Sequence, residues 1–508
     1  MGRPQNLRVT FSIVSLAMSV WCGAVVSAWA QDQEGLANFG HIASAEPPAP
    51  TEPVSLATVA PGLLPYFNNG PVFGLAGTVE GDFWHRTQLS GGWNGARTNW
   101  VDHGVFLDIY ATSAYQNVTS GGLKTGSAFV QNTQLSLNVD TARAGWWSGG
   151  LFHFTVQSRY GSSPENTFTV GSVVPQYTGF VQPGPLLSQD TWPSEYFLVQ
   201  SLTKKFSVVL GVISDIFIPD ETLFGDSYKY YFANFNFNKN PLTVNFYRPT
   251  AIAALGVWTP TKSVVIAGGP TDPFTRANTL EDAFHSGLNL YVTAVVSYAL
   301  RGRPGQVSPS FNWSNQRHID LESPFGPLSR AQVPQAVSAL LNIGSPDGLP
   351  VNFESNSSFT ISNVSQYLSL KETDVSKVPD KLKSGEPLRG IGLFGRLGYA
   401  PKTTNTLDRH ASIALFARGL WDSRQYDSFG AGFYYNAFSG EFKDDIRQLT
   451  AGTAVKNEKG LELFYDFAIT PAVRAIPGYQ YVRDPFTAQI VANHRSANLF
   501  LLRFTVAL

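Results

Sequence analysis

The side chains of this sequence that could do chemistry recur at alternate positions. Asp108 and Tyr110 share one parity of an alternating run, Asn132, Gln134 and Asp140 a second, His153, Gln157 and Arg159 a third, and Glu462 and Asp466 a fourth. Arg396, Arg418, Gln480 and Arg503 stand in comparable runs. Two-residue spacing places such groups on one face of a strand. A face carrying guanidinium groups, carboxylates and amides can exchange hydrogen bonds with a passing polar solute, and charges of both signs keep the net field small. The first candidates for such pore-lining contact are Arg159, Arg396, Arg418, Glu462 and Arg503. The competing role for each is a structural charge pairing along the wall.

Catalytic constellations are weaker. Phe224-Gly225-Asp226-Ser227-Tyr228 resembles the Gly-Asp-Ser block of some esterases, with Ser227 as nucleophile, but strand-like aromatic residues surround it and no downstream Asp-x-x-His partner of the kind such enzymes use is expected. The eight His form no His-Glu-x-x-His pair, and no Gly-x-x-x-x-Gly-Lys-Ser/Thr loop occurs, so no metal or other cofactor is expected.

The elements that must position these groups follow from composition and periodicity. Only 14% of the 508 residues are charged, against roughly 25% in an ordinary soluble domain. Lys+Arg 36 against Asp+Glu 37 leaves a net charge of -1, which argues against nucleic acid as a partner. All the sulfur, Met1, Met18 and Cys22, lies in the first thirty residues. There Arg3 and Arg8, the apolar run from Phe11 to Val26, and Ala28-Trp29-Ala30 read as a cleavable secretory signal over 1–30. Trp21 is a poor neighbour for lipid attachment at Cys22. Cleavage would leave no cysteine for a disulfide or a thiolate metal site. Residues 31–80, rich in Pro and Ala, read as an extended periplasmic leader.

After the signal no run of about 18 apolar residues appears, so spanning helices are not expected. A mean hydropathy of -0.06 leaves a membrane barrel open, because there only alternate residues meet lipid. From residue 81 onward the alternation is sustained. Val105, Leu107 and Ile109 oppose Asp108 and Tyr110. Phe152, Phe154 and Val156 oppose His153, Thr155, Gln157 and Arg159. Phe284 to Tyr298 reads as one such run, and Leu461, Leu463, Tyr465, Phe467 and Ile469 oppose Glu462, Phe464 and Asp466. The last run sets Phe500, Leu502, Phe504, Val506 and Leu508 against Arg503 and Thr505. About ten residues per run suffices for a tilted strand to cross a bilayer. Aromatic clusters at Trp146-Trp147, Tyr228 to Phe237 and Tyr479 to Tyr481 read as girdle residues at the membrane interface. These features favour a transmembrane barrel over a soluble sandwich. Residues 318–388 break the rhythm and read as one long loop, outside or folded into the pore, with a short helix over Ser329–Ile343 interrupted by Pro334.

Three segments carry a family resemblance. LSGGWNGARTNWVDHGVFLDIY at 89–110, GLFGRLGYAP at 392–401 with ARGLWDSRQYDSFGAGFYY at 417–435, and ELFYDFAITPAVRAIPGYQYVRDP at 462–485 together resemble the carbohydrate-selective (OprB-type) outer-membrane porins. The chain departs from the family pattern at Gly92, where an Asp is usual, at Asn94, where a Gly is usual, and at Leu508, where a Phe is usual. The resemblance implies an all-β transmembrane antiparallel β-barrel of 16 strands over 81–508. It implies a monomer or loose homo-oligomer in the outer-membrane lipid of a Gram-negative bacterium, passing carbohydrates by passive diffusion and not acting as an enzyme. Arg97, after the Gly-Trp-x-Gly turn, is expected to anchor the leader to the first strand. The alternatives are a general or organic-acid-selective porin and, in a different class, a barrel-borne hydrolase or adhesin.

Overall fold

Apolar side chains on one parity can face lipid while the other parity faces a polar interior, and each such run in this chain becomes a strand. The structure, a computed structural model, describes residues 79, 81–161, 169–177, 190–214, 223, 229–245, 250–261, 263–273, 283–285, 287–341, 346–371 and 388–508. The signal and leader readings, and Gly225-Asp226-Ser227, lie outside the described residues.

The strands are β1 (Val105–Gly121), β2 (Gly126–Asp140), β3 (Gly150–Gly161), β4 (Asp190–Ser201), β5 (Phe206–Ser214), β6 (Thr250–Thr261), β7 (Val264–Thr271) and β8 (Asn289–Leu300), followed by β9 (Arg303–Ile319), β10 (Phe353–Leu370), β11 (Gly390–Tyr399), β12 (Leu407–Arg418), β13 (Ser428–Phe438), β14 (Glu458–Thr470), β15 (Val473–Arg483) and β16 (Ser496–Ala507). Each pairs with the next, and β16 pairs antiparallel with β1, closing a 16-stranded barrel. Closure leaves no strand edge unpaired, a condition for spanning hydrocarbon. The parities fall as the sequence indicates. Leu463, Phe467 and Ile469 are exposed on the outer surface, while Glu462 and Asp466 between them are fully buried.

The connections are unequal. One end has the short turns 202–205, 262–263, 301–302 and 471–472; the other carries 162–189, 215–249, 320–352 and 439–457. Short periplasmic turns and long external loops are the usual arrangement in such barrels.

At the short-turn end, Arg97 in α1 (Ala96–Asp102) is buried and draws the barrel seam together. Its guanidinium donates to Leu107 O of β1 at 2.8 Å and to Leu508 O at 3.1 Å, while Leu89 N donates to Ala507 O. The anchor expected at Arg97 therefore grips both the first and last strands. The turn before it explains the departure at Asn94. That residue holds φ 56, a left-handed conformation that Gly adopts freely and Asn tolerates better than most residues.

The β5–β6 connection holds the short helix α2 (Phe235–Asn238), and at the end opposite Arg97 the connections cover the mouth. α3 (Val333–Leu340) packs against α4 (Gly440–Leu449), and Leu321, Leu340, Phe438, Phe442, Ile446 and Phe486 share one apolar cluster. Phe486, which opens α5 (Phe486–Val491), stacks on Phe438 with ring centroids 4.7 Å apart.

Three expectations need correction. Residues 318–388 are not one loop, because β10 occupies Phe353–Leu370 and pairs with β9 and β11. Its pattern was hidden because Ser358, Thr360 and Ser362 stand on the outward parity while Phe359 and Ile361 are buried inside. Pro334 lies in the first turn of α3, so it starts that helix instead of interrupting it. The run from Phe284 is shorter than expected, with strand beginning only at Asn289.

Two outcomes follow. Arg97→Ala removes two hydrogen bonds to buried carbonyls, so it should destabilise the seam by roughly 3 kcal/mol, seen as earlier loss of the heat-modifiable folded band on a gel. At the mouth, burial first, then the like charges of Asp444, Asp320 and Glu441, push the Asp445 carboxyl up to about 7. A carboxyl raised on folding supports the fold while protonated, and that support is lost as pH rises from its ordinary value toward 7. Hydrogen exchange in α4, corrected for intrinsic rates, should therefore be slower at pH 5 than at pH 8, and Asp445→Asn should flatten the difference.

Candidate functional site

The lumen is organised by a segment that turns inward. Residues 229–243, part of the β5–β6 connection, run inside the barrel, and Phe232 to Thr243 are buried throughout. A buried backbone must find partners for its polar groups. Here six consecutive strands supply one polar side chain or more each.

Arg396 of β11 donates from Nε to Phe237 O at 3.0 Å. Arg418 of β12 donates to the Tyr231 hydroxyl at 2.7 Å, and Asn436 of β13 donates to Asn236 Oδ1 at 2.9 Å. Glu462 of β14 accepts from the backbone N–H groups of Ala233 at 2.7 Å and Asn234 at 2.9 Å. Gln480 of β15 accepts from Asn234 Nδ2 at 3.3 Å. On β16, Arg503 donates to Tyr231 O at 2.6 Å and Thr505 to Lys229 O at 2.9 Å.

Apolar packing completes the seat. Phe232 and Phe237 lie against Phe394, Phe464 and Tyr434. They fit because Gly430 and Gly432 of β13 leave room: a Cβ at Gly432 would come within 2.5 Å of the Phe237 ring, and one at Gly430 within 2.6 Å of Phe232. The Tyr228 to Phe237 cluster, read from sequence as an interface girdle, is thus largely lumenal at Phe232, Phe235 and Phe237. Its aromatic character serves packing against the inner wall. Trp146 and Trp147 are exposed and stacked on each other, as girdle residues would be.

A second inward segment, 169–177, is held by a residue that the first reading missed. Glu458 accepts from Ser172 Oγ at 2.6 Å, Val173 N at 3.1 Å and Phe486 N at 2.9 Å. Gln176 then joins the two segments, its Oε1 accepting from Asn234 and its backbone O from Gln480. The signal for Glu458 was available: Glu458, Glu462 and Asp466 occupy every fourth position of β14, all on the inward parity and each about 13 Å from the next. Asp466, the third, pairs with Arg474 Nη1 at 2.7 Å.

The sequence candidates divide between two stretches of wall. Arg396, Arg418, Glu462, Asp466 and Arg503 gather on β11–β16 and engage the inserted segment or one another. Asp108 accepts from Gln88 at 3.2 Å near the short-turn end, and Tyr110 lies beneath Lys229 Nζ at 4.3 Å. On β2 and β3 the groups bond mainly to the wall itself. Gln134 donates to Ser136 at 3.0 Å, Ser136 and Thr155 share a hydrogen bond of 2.9 Å, and Thr155 meets His153 Nε2 at 2.9 Å. His153 Nδ1 faces Asn138 Oδ1 at 2.7 Å, and Arg159 is buried beside Asn132 across the β2–β3 pairing.

Burial varies along both stretches, with Arg418 and Ser412 among the more open inward groups of β12 and Asn132, Asn138 and Thr155 closed on β2 and β3. Gln134 and Ser136 keep 8% of their surface and His153 and Gln157 7%, while Arg396, Glu462, Gln480 and Arg503 keep none. The inner face of β9 adds Ser308, Ser310, Asn312, Ser314 and Gln316, a ladder of uncharged hydroxyls and amides. For the esterase-like block, the Asp-x-x-His spacing does occur downstream, at Asp282 to His285. Ser227 and Asp282 lie outside the described residues, and His285 is exposed in a turn.

Comparison with known proteins bears on the family and the fold. The profile of the family described as carbohydrate-selective porin, OprB family, matches residues 124–506. Porin B of Pseudomonas aeruginosa is 24% identical over 114 residues, a match that spans 20% of this chain and 25% of that protein. The high-pH structure of Pseudomonas putida OprB superposes with a TM-score of 0.67 at 17% identity, covering 84% of this chain and all of that one. Its low-pH structure gives 0.50 at 14% identity and the same coverage of this chain.

Removing Glu462 leaves two backbone N–H groups unpaired in a buried site, at about 3 kcal/mol. Glu462→Ala and Gly432→Val should each unseat the inserted segment and raise single-channel conductance in planar bilayers, while Gly395→Ala on the outward parity of β11 should leave it unchanged.

Proposed function

Since the chain belongs to the carbohydrate-selective porin (OprB) family, a family of channels in the outer membrane, we propose that it conducts neutral sugars by passive diffusion along the part of its lumen lined by β2, β3 and β9. The carrying observation is the division of the inner wall. The inserted segment bonds polar groups of β11–β16, whereas Gln134, Ser136, His153 and Gln157 bond to groups of the wall itself and keep 7–8% of their surface. A sugar must exchange water for wall hydroxyls and amides without being held so tightly that it cannot leave. Side chains already bonded to their neighbours suit this exchange, because each can offer a remaining donor or acceptor at little cost in order.

On this reading Gln134, Gln157 and Arg159 contact the solute, while Arg396, Arg418, Glu462 and Arg503 act indirectly by holding the segment that narrows the passage. Asp108, Tyr110 and Asp466 shape its short-turn end. One chain closes its own barrel, so a single copy forms the whole conduit whether it works as a monomer or in a loose homo-oligomer. Export through the residues 1–30 signal and residence in a Gram-negative outer membrane follow from the same reading.

Purified protein in a planar bilayer should show steady conductance that falls when glucose or a malto-oligosaccharide is added. Gln157→Ala and Gln134→Ala should each weaken the sugar block by about fivefold, the loss of one hydrogen bond, with open-channel conductance little changed. Block by a dicarboxylate such as succinate in place of sugar would favour an organic-acid channel, and a conductance indifferent to both would favour a general porin.

A further inference from the structure

The outer surface carries a row of cations that the channel reading does not use. Arg409 of β12, Lys459 of β14 and Arg483 of β15 all stand on the outward parity near the end that bears the long connections. Lys459 is exposed, and the side chains of Arg409 and Arg483 keep 67% and 51% of their surface. Lys459 and Arg483 share one register row, and Arg409 stands two residues along the strand from it, opposite Ala437 of β13. Tyr399 pairs with Arg409, Tyr435 with Lys459, and Lys459 directly with Arg483. Below it the same parity is apolar, with Leu461, Leu463, Phe467 and Ile469 on β14 and Ile413 and Leu415 on β12. The ten residue-to-residue steps from Lys459 to Ile469, on a tilted strand, cover about 25 Å, the height of the lipid-facing band. The cations therefore sit at head-group level in the outer leaflet.

Their own carboxylates compensate them poorly. Asp408 lies 3.5 Å from Arg409, and Asp484 lies 3.8 Å from Arg483 but only 2.7 Å from Arg495. Lys459 has no ion pair among the described residues. Like charges directly opposed across strands destabilise a sheet, so the Lys459–Arg483 pairing needs an external anion. We propose that this face of β11–β15 docks the phosphate groups of an anionic glycolipid of the outer leaflet. The tyrosines flank its sugar head, and the apolar columns below meet its acyl chains. Lys459 to Arg483 is one strand spacing, and Arg409 to Lys459 is two spacings and two residues along the strand, so the group can hold two phosphates about 12 Å apart.

The test uses the full-length barrel in nonionic detergent, titrated with a diphosphorylated disaccharide glycolipid in mixed micelles and followed by its shift in thermal unfolding. The wild type should bind that lipid at least tenfold more tightly than the same lipid stripped of phosphate. K459Q/R483Q should weaken binding about 30-fold and R409Q about fivefold, at the usual strength of a basic side chain near an anionic surface. K204Q, on a turn at the opposite end, should bind as the wild type does, and wild-type conductance in K459Q/R483Q would confirm its barrel is intact. Equal binding of the dephosphorylated lipid, or unchanged affinity in both K459Q/R483Q and R409Q, would overturn the proposal. Equal stabilisation by inorganic phosphate alone would overturn the lipid as occupant. Sugar block is read separately, so neither result bears on the proposed conduction.

Discussion

The architecture depends on one requirement: polypeptide placed inside a barrel must have its backbone groups satisfied there. Residues 229–243 meet it through side chains of β11, β14 and β16, with Glu462 taking two N–H groups and Arg396, Arg503 and Thr505 supplying donors to three carbonyls, while β12, β13 and β15 bond the segment's side chains. A carboxylate suits consecutive N–H groups, and a guanidinium suits isolated carbonyls. The mixture of signs on this wall thus has a local cause. It follows the polarity of the inserted backbone, and the two signs also limit the net field in the lumen.

The same strand carries the order further. β14 presents Glu458, Glu462 and Asp466 at equal intervals, and these hold the 169–177 segment with α5, the 229–243 segment, and Arg474 in turn. Three levels of the channel, from covered mouth to short-turn end, are therefore referenced to one strand. Glycines 430 and 432 on the adjoining β13 extend the device, since the space they leave is filled by Phe232 and Phe237. Small residues on the wall and large ones on the insert make a fit that tolerates little exchange between them.

Much of the barrel was legible in the sequence because lipid on one side and a polar lumen on the other force a two-residue period. The inward placement of Asp108, Gln134, Arg159, Glu462 and Arg503 could be read on that basis alone. Where a strand relaxes the rule, as β10 does with Ser358, Thr360 and Ser362 outward, the period vanishes and with it the signal. The aromatic run around residue 232 misled for a related reason. Composition marks a segment as suited to an apolar contact, without saying whether that contact is membrane or inner wall.

The sequence by itself determined the strongly alternating strands, such as β1, β2, β3, β14 and β16, the face on which their side chains stand and the family to which the chain's motifs point, since these depend on neighbours within a few residues. Only the tertiary structure decided what the inward charges do. Ala233 and Glu462, or Tyr231 and Arg503, are more than two hundred residues apart, and no local pattern states that they meet. Their partnership arises from barrel closure, which sets six strands side by side, and from the cost of leaving either the charge or the backbone unpaired in the interior.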